Sequence, residues 1–178
     1  MKIFLTGEIQ VGKSTVIHKV LSLLNIVPGG FKTNFAPNVD RSSWNKSLYI
    51  NSPSTPPQYL PENTVAEFST GRPQPCTEKF DTLGVDLIRS ARKGSRLILM
   101  DECGFLEHKA VLFQQEILKA LDDDLPILGV IRLMKQGQGW TEQIINHPQV
   151  SLYTVTRENR DELPQIIAAQ LETTAHLI

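Results

Sequence analysis

The sequence predicts an α/β fold in which helices cover both faces of a mainly parallel sheet. Short apolar segments alternate along the chain with longer segments whose apolar residues recur every three or four positions. The first pattern is typical of buried strands and the second of amphipathic helices. Strands that alternate with helices pair in parallel, and uninterrupted apolar runs indicate that both faces of the sheet are covered, which gives three layers.

The predicted elements follow in a regular order. A buried strand at residues 2–6 is followed by a helix over about 12–24, which the Pro28-Gly29-Gly30 turn ends. An extended segment starts at Phe31. We expect Asp161 to cap the last helix, with Pro164 in its first turn. The elements between are a helix at 80–92, a strand at 96–100, a helix at 111–121, a strand at 127–131, a helix at 141–146 and a strand at 150–155.

Residues 34–77 interrupt this alternation. Seven of the eleven prolines lie there, and proline removes a backbone donor from a sheet. We therefore expect loops and edge strands in this insert, at 48–50 and 65–68, rather than core. A segment of this length exceeds an ordinary connection, which indicates a functional or mobile insert.

Length and composition narrow the class of protein. A chain of 178 residues favours a single domain over residues 1–178. The net charge of −1 shows no basic signature, so nucleic acid is an unlikely partner. No stretch approaches the roughly 20 apolar residues of a membrane span, and the apolar start is too short for a signal peptide. Cys76 and Cys103 form no paired motif, which is typical of reduced thiols in a cytoplasmic protein.

The most informative motif is Gly7-Glu8-Ile9-Gln10-Val11-Gly12-Lys13-Ser14, which matches G-x-x-x-x-G-K-[S/T] at every position. Glycines leave the backbone N–H groups free to wrap a phosphate, and the start of the next helix adds positive charge. We expect Lys13 to reach the β- and γ-phosphates and the Ser14 hydroxyl to bind Mg²⁺. The loop follows a strand and opens a helix, so residues 7 to Thr15 are predicted to bind a nucleoside triphosphate.

A second motif, Asp101-Glu102, ends an apolar strand. Acids at the carboxyl edge of a parallel sheet lie where ligands bind. We expect Asp101 to bind Mg²⁺ and Glu102 to be the general base for a water that faces the γ-phosphate. The next strand, 127–131, is predicted to lie beside the loop strand, as in the additional-strand class of P-loop ATPases. The predicted sheet then has five strands, and Arg132 lies near the γ-phosphate as a sensor or charge stabiliser.

Four segments together resemble a known family, the P-loop nucleoside-triphosphatases of the thermophile type, or cancer-related nucleoside-triphosphatase family. They are the phosphate loop and residues 29–33, 101–107 and 155–161, the last being the most distinctive. The resemblance implies Mg²⁺-dependent hydrolysis of nucleoside triphosphates, ATP or GTP, with little base selectivity. It implies that Asn159 and Arg160 lie by the base or the adjoining loop. Glu107 would be an acid beside the site or a cap of the next helix.

The insert departs from the family, which usually has an arginine-bearing ribbon there. Arg41 and Arg72 are candidate replacements for its arginines. Two other functions stay open: a small-molecule kinase with the insert as its lid, and a nucleotide-responsive module that docks a protein partner through residues 34–77, where Trp44 lies. A kinase lid usually clamps its acceptor with several arginines, and Glu102 suits water activation, so hydrolysis is favoured.

Overall fold

The structure, a computed structural model, describes residues 1–40, 45–69, 72–133 and 139–175. Within these ranges the strands form one mixed sheet. The strands are β1 Lys2–Thr6, β2 Gly29–Phe35, β3 Lys46–Asn51, β4 Thr64–Phe68, β5 Pro73–Pro75, β6 Ile98–Cys103, β7 Ile127–Ile131 and β8 Val150–Thr154. Their order in the sheet is β5-β4-β3-β2-β6-β7-β1-β8.

The helices lie close to the positions that the apolar periodicity predicts. They are α1 Lys13–Leu24, α2 Thr77–Lys79, α3 Val85–Gly94, α4 Val111–Asp122, α5 Glu142–Ile145 and α6 Leu163–Ala175. A π-helical turn over Phe80–Gly84 joins α2 to α3, so the helix predicted at 80–92 is longer at both ends. The chain has 3₁₀ turns at Pro61–Asn63 and Gly139–Thr141.

The sheet is larger than predicted. Strands β2, β6, β7, β1 and β8 are parallel neighbours, and β7 lies between β6 and β1, beside the loop strand as expected. Strands β3, β4 and β5 extend the same sheet in antiparallel pairing from β2. The prediction of a five-stranded sheet is therefore not confirmed, because the described part of the chain contributes eight strands.

Two apolar cores flank the sheet and define the three layers. Alternate residues of β1 point to opposite faces, as the period of a strand requires. Ile3 and Leu5 belong to the core that includes α1 and α6, whereas Phe4 belongs to the core that includes α3 and α4. Because both faces are covered, the carboxyl ends of the parallel strands and the loops that follow them are left to build a site.

The expectation that the insert stays out of the core is wrong. Leu48 and Ile50 of β3 and Val65 and Ala66 of β4 are buried in the same core as α3 and α4. The prolines of the insert that lie in a strand belong to β5 at the edge of the sheet, where a missing donor is tolerated. Strands β3 and β4 carry no proline, which lets each of them pair on both sides.

Two local predictions also need correction. The strand predicted at 96–100 runs from Ile98 to Cys103, because its pairing with β2 continues to Asp101, so Asp101 and Glu102 lie within the last three residues of β6. Asp161 does not cap α6, which begins at Leu163; its carboxylate accepts a hydrogen bond from Lys19 of α1 at 3.0 Å. In the described ranges no helix has the length and apolarity needed to cross a membrane.

Candidate active site

The phosphate loop joins β1 to α1 and depends on two glycines with positive φ. Gly7 has φ 138° and Gly12 has φ 113°, a region that other residues rarely adopt. A Cβ atom on Gly7 would lie 2.5 Å from the carbonyl oxygen of Val155, which follows β8. The loop is therefore shaped by its own glycines and by the chain segment packed behind it.

Lys13, the first residue of α1, folds back over this loop. Its Nζ donates hydrogen bonds to the carbonyl oxygens of Gly7 at 2.8 Å and Glu8 at 2.7 Å. Burial lowers the pKa of Lys13, whereas the negative charge of Glu102 opposes that shift. The ammonium group of Lys13 thus lies within electrostatic range of Glu102 and Asp101 on β6.

Asp101 is the buried acid of the site. It is 8% exposed, and burial raises its pKa to about 6, with the charges of Lys32 and Lys13 opposing and that of Glu102 adding to the shift. Asp101 and Ser14 line one cleft. Oxygen donors of this kind suit Mg²⁺, which uses few protein ligands and completes its shell with water and phosphate oxygens.

Glu102 lies beside a cation from the neighbouring strand. The Oε1 atom of Glu102 is 3.5 Å from Nη1 of Arg132, which directly follows β7. The backbone N–H of Arg132 donates to the carbonyl oxygen of Cys103 at 2.9 Å, which fixes the start of the arginine side chain. The two side chains are 33% and 53% exposed, so both reach the solvent of the cleft.

The turn after β6 is braced by a second buried acid. Glu107 is 2% exposed, and its Oε2 accepts a hydrogen bond from the N–H of Gly104 at 2.8 Å. Trp140 donates from Nε1 to the carbonyl oxygen of Gly104 at 2.7 Å, so this tryptophan packs at the turn. Burial raises the pKa of Glu107 to about 7. The carboxylate of Glu107 therefore holds the turn next to Glu102 rather than the start of α4.

The phosphate loop, Lys13, Ser14, the two acids of β6 and Arg132 open onto one cleft of about 770 Å³. One end is formed by the phosphate loop and α1, the middle by the acids of β6 with Arg132, and the far wall by the insert. The lining residues are Gly7, Ile9, Gln10, Gly12, Lys13, Ser14, Thr15, Lys32, Thr33, Asn34, Phe35, Lys46, Leu48, Phe68, Asp101, Glu102, Leu106 and Arg132.

Four of the nucleotide-binding residues predicted from the sequence are not among these lining residues. Val11 is buried behind the loop, and Glu8 has an exposed side chain.

The other two residues, Asn159 and Arg160, lie in the turn after β8. Arg160 donates from Nη1 to the carbonyl oxygen of Val11 at 3.4 Å and flanks Gly12. Asn159 donates to the carbonyl oxygen of Thr154 at 2.9 Å and accepts from the N–H of Thr156 at 2.8 Å, so its amide closes the turn after β8.

Sequence reasoning missed the residues that β2, β3 and β4 bring to the cleft, above all Lys32, Phe35, Lys46 and Phe68. Lys32 had a signal, because it belongs to residues 29–33, one of the four segments that carry the family resemblance; the structure pairs it in register with Asp101. The others had none, because antiparallel pairing of distant strands places them. Of the candidate arginines of the insert, Arg72 is exposed and outside the cleft lining, whereas Arg41, like Trp44, lies outside the described residues.

Comparison with known proteins places this geometry in context. The model of the NTPase family matches residues 2–168. Nucleoside-triphosphatase THEP1 of Thermofilum pendens is 35% identical over 94 residues, which is 53% of this chain and 52% of that protein. The human cancer-related nucleoside-triphosphatase is 29% identical over 178 residues, covering 93% of this chain and 94% of that one. The crystal structure of THEP1 from Aquifex aeolicus superposes with a TM-score of 0.75 at 25% identity, over 97% of this chain and 99% of that one.

Proposed function

The chain belongs to the NTPase family and is a nucleoside-triphosphatase, and we propose that its reaction depends on Mg²⁺ and accepts ATP and GTP with little base selectivity. The observation that carries this proposal is the cleft itself, which joins a complete phosphate loop to a buried acid, a solvent-reaching acid and an arginine. Each group has a separate task in moving the γ-phosphoryl group to water.

The loop and α1 bind the triphosphate. Backbone N–H groups of the loop and the amino end of α1 attract the phosphate oxygens. Lys13 already lies over the loop, bonded to the carbonyl oxygens of Gly7 and Glu8. This position over the loop supports the proposal that its ammonium binds the β- and γ-phosphates.

Ser14 and Asp101 would hold the Mg²⁺ ion. When bound, the ion neutralises charge that develops on the phosphate oxygens. Asp101 is buried and its pKa is raised to about 6, so a cation beside it favours the ionised carboxylate and offsets the cost of burial. Ser14 is the second residue of α1 and lines the same cleft.

Glu102 and Arg132 act on the reacting atoms. Glu102 takes a proton from the attacking water, whose oxygen forms a bond to the γ-phosphorus. The bond between that phosphorus and the bridging oxygen breaks, and its electron pair stays on the nucleoside diphosphate. Arg132, 3.5 Å from Glu102, stabilises the negative charge on the transferring group.

The surroundings of the loop support low base selectivity. Asn159 and Arg160, the residues next to the loop from the last turn, direct their hydrogen bonds to backbone carbonyl and N–H groups. Side chains used in this way hold the loop and do not distinguish one base from another. We also propose a cytoplasmic setting, because both cysteines are free and triphosphates are abundant there.

A small-molecule kinase is the second candidate, and the far wall of the cleft favours it. A hydrolase needs room beside the γ-phosphate for one water, whereas this cleft continues to Phe35 and Phe68 of the insert. Hydrolysis and transfer differ in their products. A hydrolase releases free phosphate from the triphosphate and water alone. A kinase consumes the triphosphate rapidly only when an acceptor is present, and the γ-phosphoryl group is then found on that acceptor and not as free phosphate.

Phosphate release from ATP, GTP, CTP and UTP, with Mg²⁺ and with EDTA, tests the proposal. We expect turnover of all four substrates within about tenfold of one another, and no turnover with EDTA. Turnover that persists in EDTA would contradict the role of Ser14 and Asp101. Turnover of a single triphosphate would contradict the low base selectivity.

A further inference from the structure

The far wall of the cleft, formed by the insert, combines two aromatic rings with a lysine. We propose that Phe35, Lys46, Leu48 and Phe68 bind a flat aromatic molecule that carries an anionic group, at the same time as a triphosphate occupies the loop. The inference rests on one part of the proposed function, namely that the triphosphate binds at the end of the cleft formed by the phosphate loop.

The sheet order separates this wall from the phosphate loop. Strand β1, which leads into the loop, is followed across the sheet by β7, β6, β2 and β3. With a spacing of about 4.8 Å between strands, β3 lies roughly 19 Å from β1. Asp101 of β6 is between the two, and along β2 the wall residue Phe35 is three positions beyond Lys32, the residue paired with Asp101. The wall thus begins where the triphosphate ends.

A nucleobase of the same triphosphate does not reach this wall. Lys13, Ser14 and Asp101 together mark the end of the triphosphate that carries the γ-phosphate. The base is at the opposite end of the molecule, which lies away from β6. A molecule on the wall of the insert therefore faces the γ-phosphate from the side on which a nucleophile approaches.

The apolar part of the wall is an aromatic pair that packs against the core on one side and lines the cleft on the other. The Phe35 and Phe68 rings have centroids 5.5 Å apart at 62°, in an edge-to-face arrangement. Both side chains are only half-buried, whereas neighbouring Leu48 is 8% exposed and closes the floor. Aromatic rings prefer offset or edge-to-face contacts with another ring. A flat ligand ring bound here would bury apolar surface and could adopt one of these preferred orientations against both phenylalanines.

The positive charge of Lys46 is the reason for proposing a ligand that carries an anionic group. Nζ of Lys46 lies over the Phe35 ring at 5.2 Å and over the Phe68 ring at 5.7 Å from the centroids. The register places Lys46 opposite Phe68 and Phe35 opposite Leu48, so the lysine and both rings share one end of the insert strands. A ligand with its ring on the phenylalanines presents a carboxylate to Lys46, while the acids of β6 lie between this wall and the phosphate loop.

Isothermal calorimetry on the protein saturated with Mg²⁺ and a non-hydrolysable ATP analogue tests the site. The probes are 1-naphthoate, indole-3-acetate and 4-hydroxybenzoate, with 1-naphthamide as the neutral counterpart of the first. We expect at least one acid to bind with a stoichiometry of one without displacing the analogue. Phe35→Leu and Phe68→Leu should weaken it at least about tenfold, since the ring contacts are lost. Lys46→Met should weaken binding of 1-naphthoate but not binding of 1-naphthamide, because only the naphthoate carries a negative charge.

Controls keep the result interpretable. Phe105→Leu and Lys93→Met change an aromatic ring and a lysine outside the cleft lining and should leave probe binding unchanged. The proposal is overturned if no acid binds at millimolar concentration, if the wall variants bind it as wild type does, or if the acid displaces the analogue. An equal loss of analogue affinity in the wall variants would also overturn it, because the wall would then hold the triphosphate. Failure of the proposed function shows separately, as absent binding of the analogue alone.

Discussion

Arg132 and Glu102 are 30 residues apart in the chain, yet the arginine Nη1 lies 3.5 Å from the glutamate Oε1. The two meet because β6 and β7 are parallel neighbours and the N–H of Arg132 donates to the carbonyl oxygen of Cys103. This pair places a carboxylate and a fixed positive charge in the middle of the cleft. The two groups have different proposed roles in hydrolysis, so each role is tested by its own variant.

Glu102→Gln should retain triphosphate binding and lose hydrolysis. Glutamine keeps the volume and can still hydrogen-bond a water, but it cannot take the proton. General-base catalysis contributes about 10²–10⁴-fold, so single-turnover hydrolysis with saturating Mg²⁺ and ATP should slow at least roughly 100-fold, with affinity little changed. Glu172→Gln, which alters an exposed acid of α6 outside the cleft lining, is the control. A rate within about threefold of wild type would place the base elsewhere.

Arg132→Ala should lower turnover with a smaller effect on binding. Its charge stabilises the transferring phosphoryl group more than the bound triphosphate, so we expect turnover to fall roughly 100-fold. The steady-state turnover number and the affinity for the ATP analogue are measured in parallel. Arg157→Ala removes an exposed arginine outside the cleft lining and should keep wild-type turnover. If both variants behave alike, Arg132 has no part in the reaction.

Lys13→Ala should abolish tight triphosphate binding. Lys13 supplies the positive charge held over the loop by the carbonyl oxygens of Gly7 and Glu8. Calorimetry with a non-hydrolysable ATP analogue should show at least about a hundredfold loss of affinity. Lys19→Ala, on the same helix but paired with Asp161 at the surface, should bind normally. An affinity unchanged within about twofold for Lys13→Ala would refute the phosphate-loop assignment.

Gly7→Ala should damage the loop, whereas Gly94→Ala should not. At Gly7 the backbone φ of 138° is unfavourable for alanine, and the new Cβ would lie 2.5 Å from the carbonyl oxygen of Val155. At Gly94 no atom lies within 4 Å of the new methyl group, and alanine favours a helix by about 0.5–1 kcal/mol. The midpoint temperature of thermal unfolding and the affinity for the ATP analogue should both fall for Gly7→Ala and stay at or above the wild-type values for Gly94→Ala. Normal binding by Gly7→Ala would show that the loop has another conformation.

Glu107 should make stability depend on pH. Its pKa rises from 4.5 to about 7 on folding because of burial. Below pH 4.5 both states hold the proton, and between 4.5 and 7 only the folded state does. The free energy of unfolding therefore falls as pH rises through this window, by at most about 3 kcal/mol.

Urea unfolding of wild type, Glu107→Gln and the exposed control Glu172→Gln at pH 5 and pH 8 measures this effect. The advantage of Glu107→Gln over wild type should grow from pH 5 to pH 8, because glutamine carries no charge to bury. Glu172→Gln should follow wild type at both pH values. An identical pH dependence in wild type and Glu107→Gln would show that Glu107 ionises as easily in the folded state as in the unfolded state.

The sequence by itself determined the features that depend on neighbouring residues. The phosphate loop is eight consecutive residues, and its chemistry follows from their types and from the strand and helix on either side. Apolar periodicity likewise located α1, α4, β1 and β7 to within a residue or two, because a buried face imposes its period locally. Asp101 and Glu102 were found as acids at a strand end for the same reason.

The tertiary structure alone decided what depends on strand pairing. Nothing in the proline-rich insert shows that β3 and β4 join the main sheet, since their partners lie far away in sequence. That pairing buries Ile50 and Val65 and brings Phe35, Lys46 and Phe68 to the cleft. It depends on which separated segments together bury the most apolar surface and satisfy their backbone hydrogen bonds, a property of the whole chain that no local pattern contains.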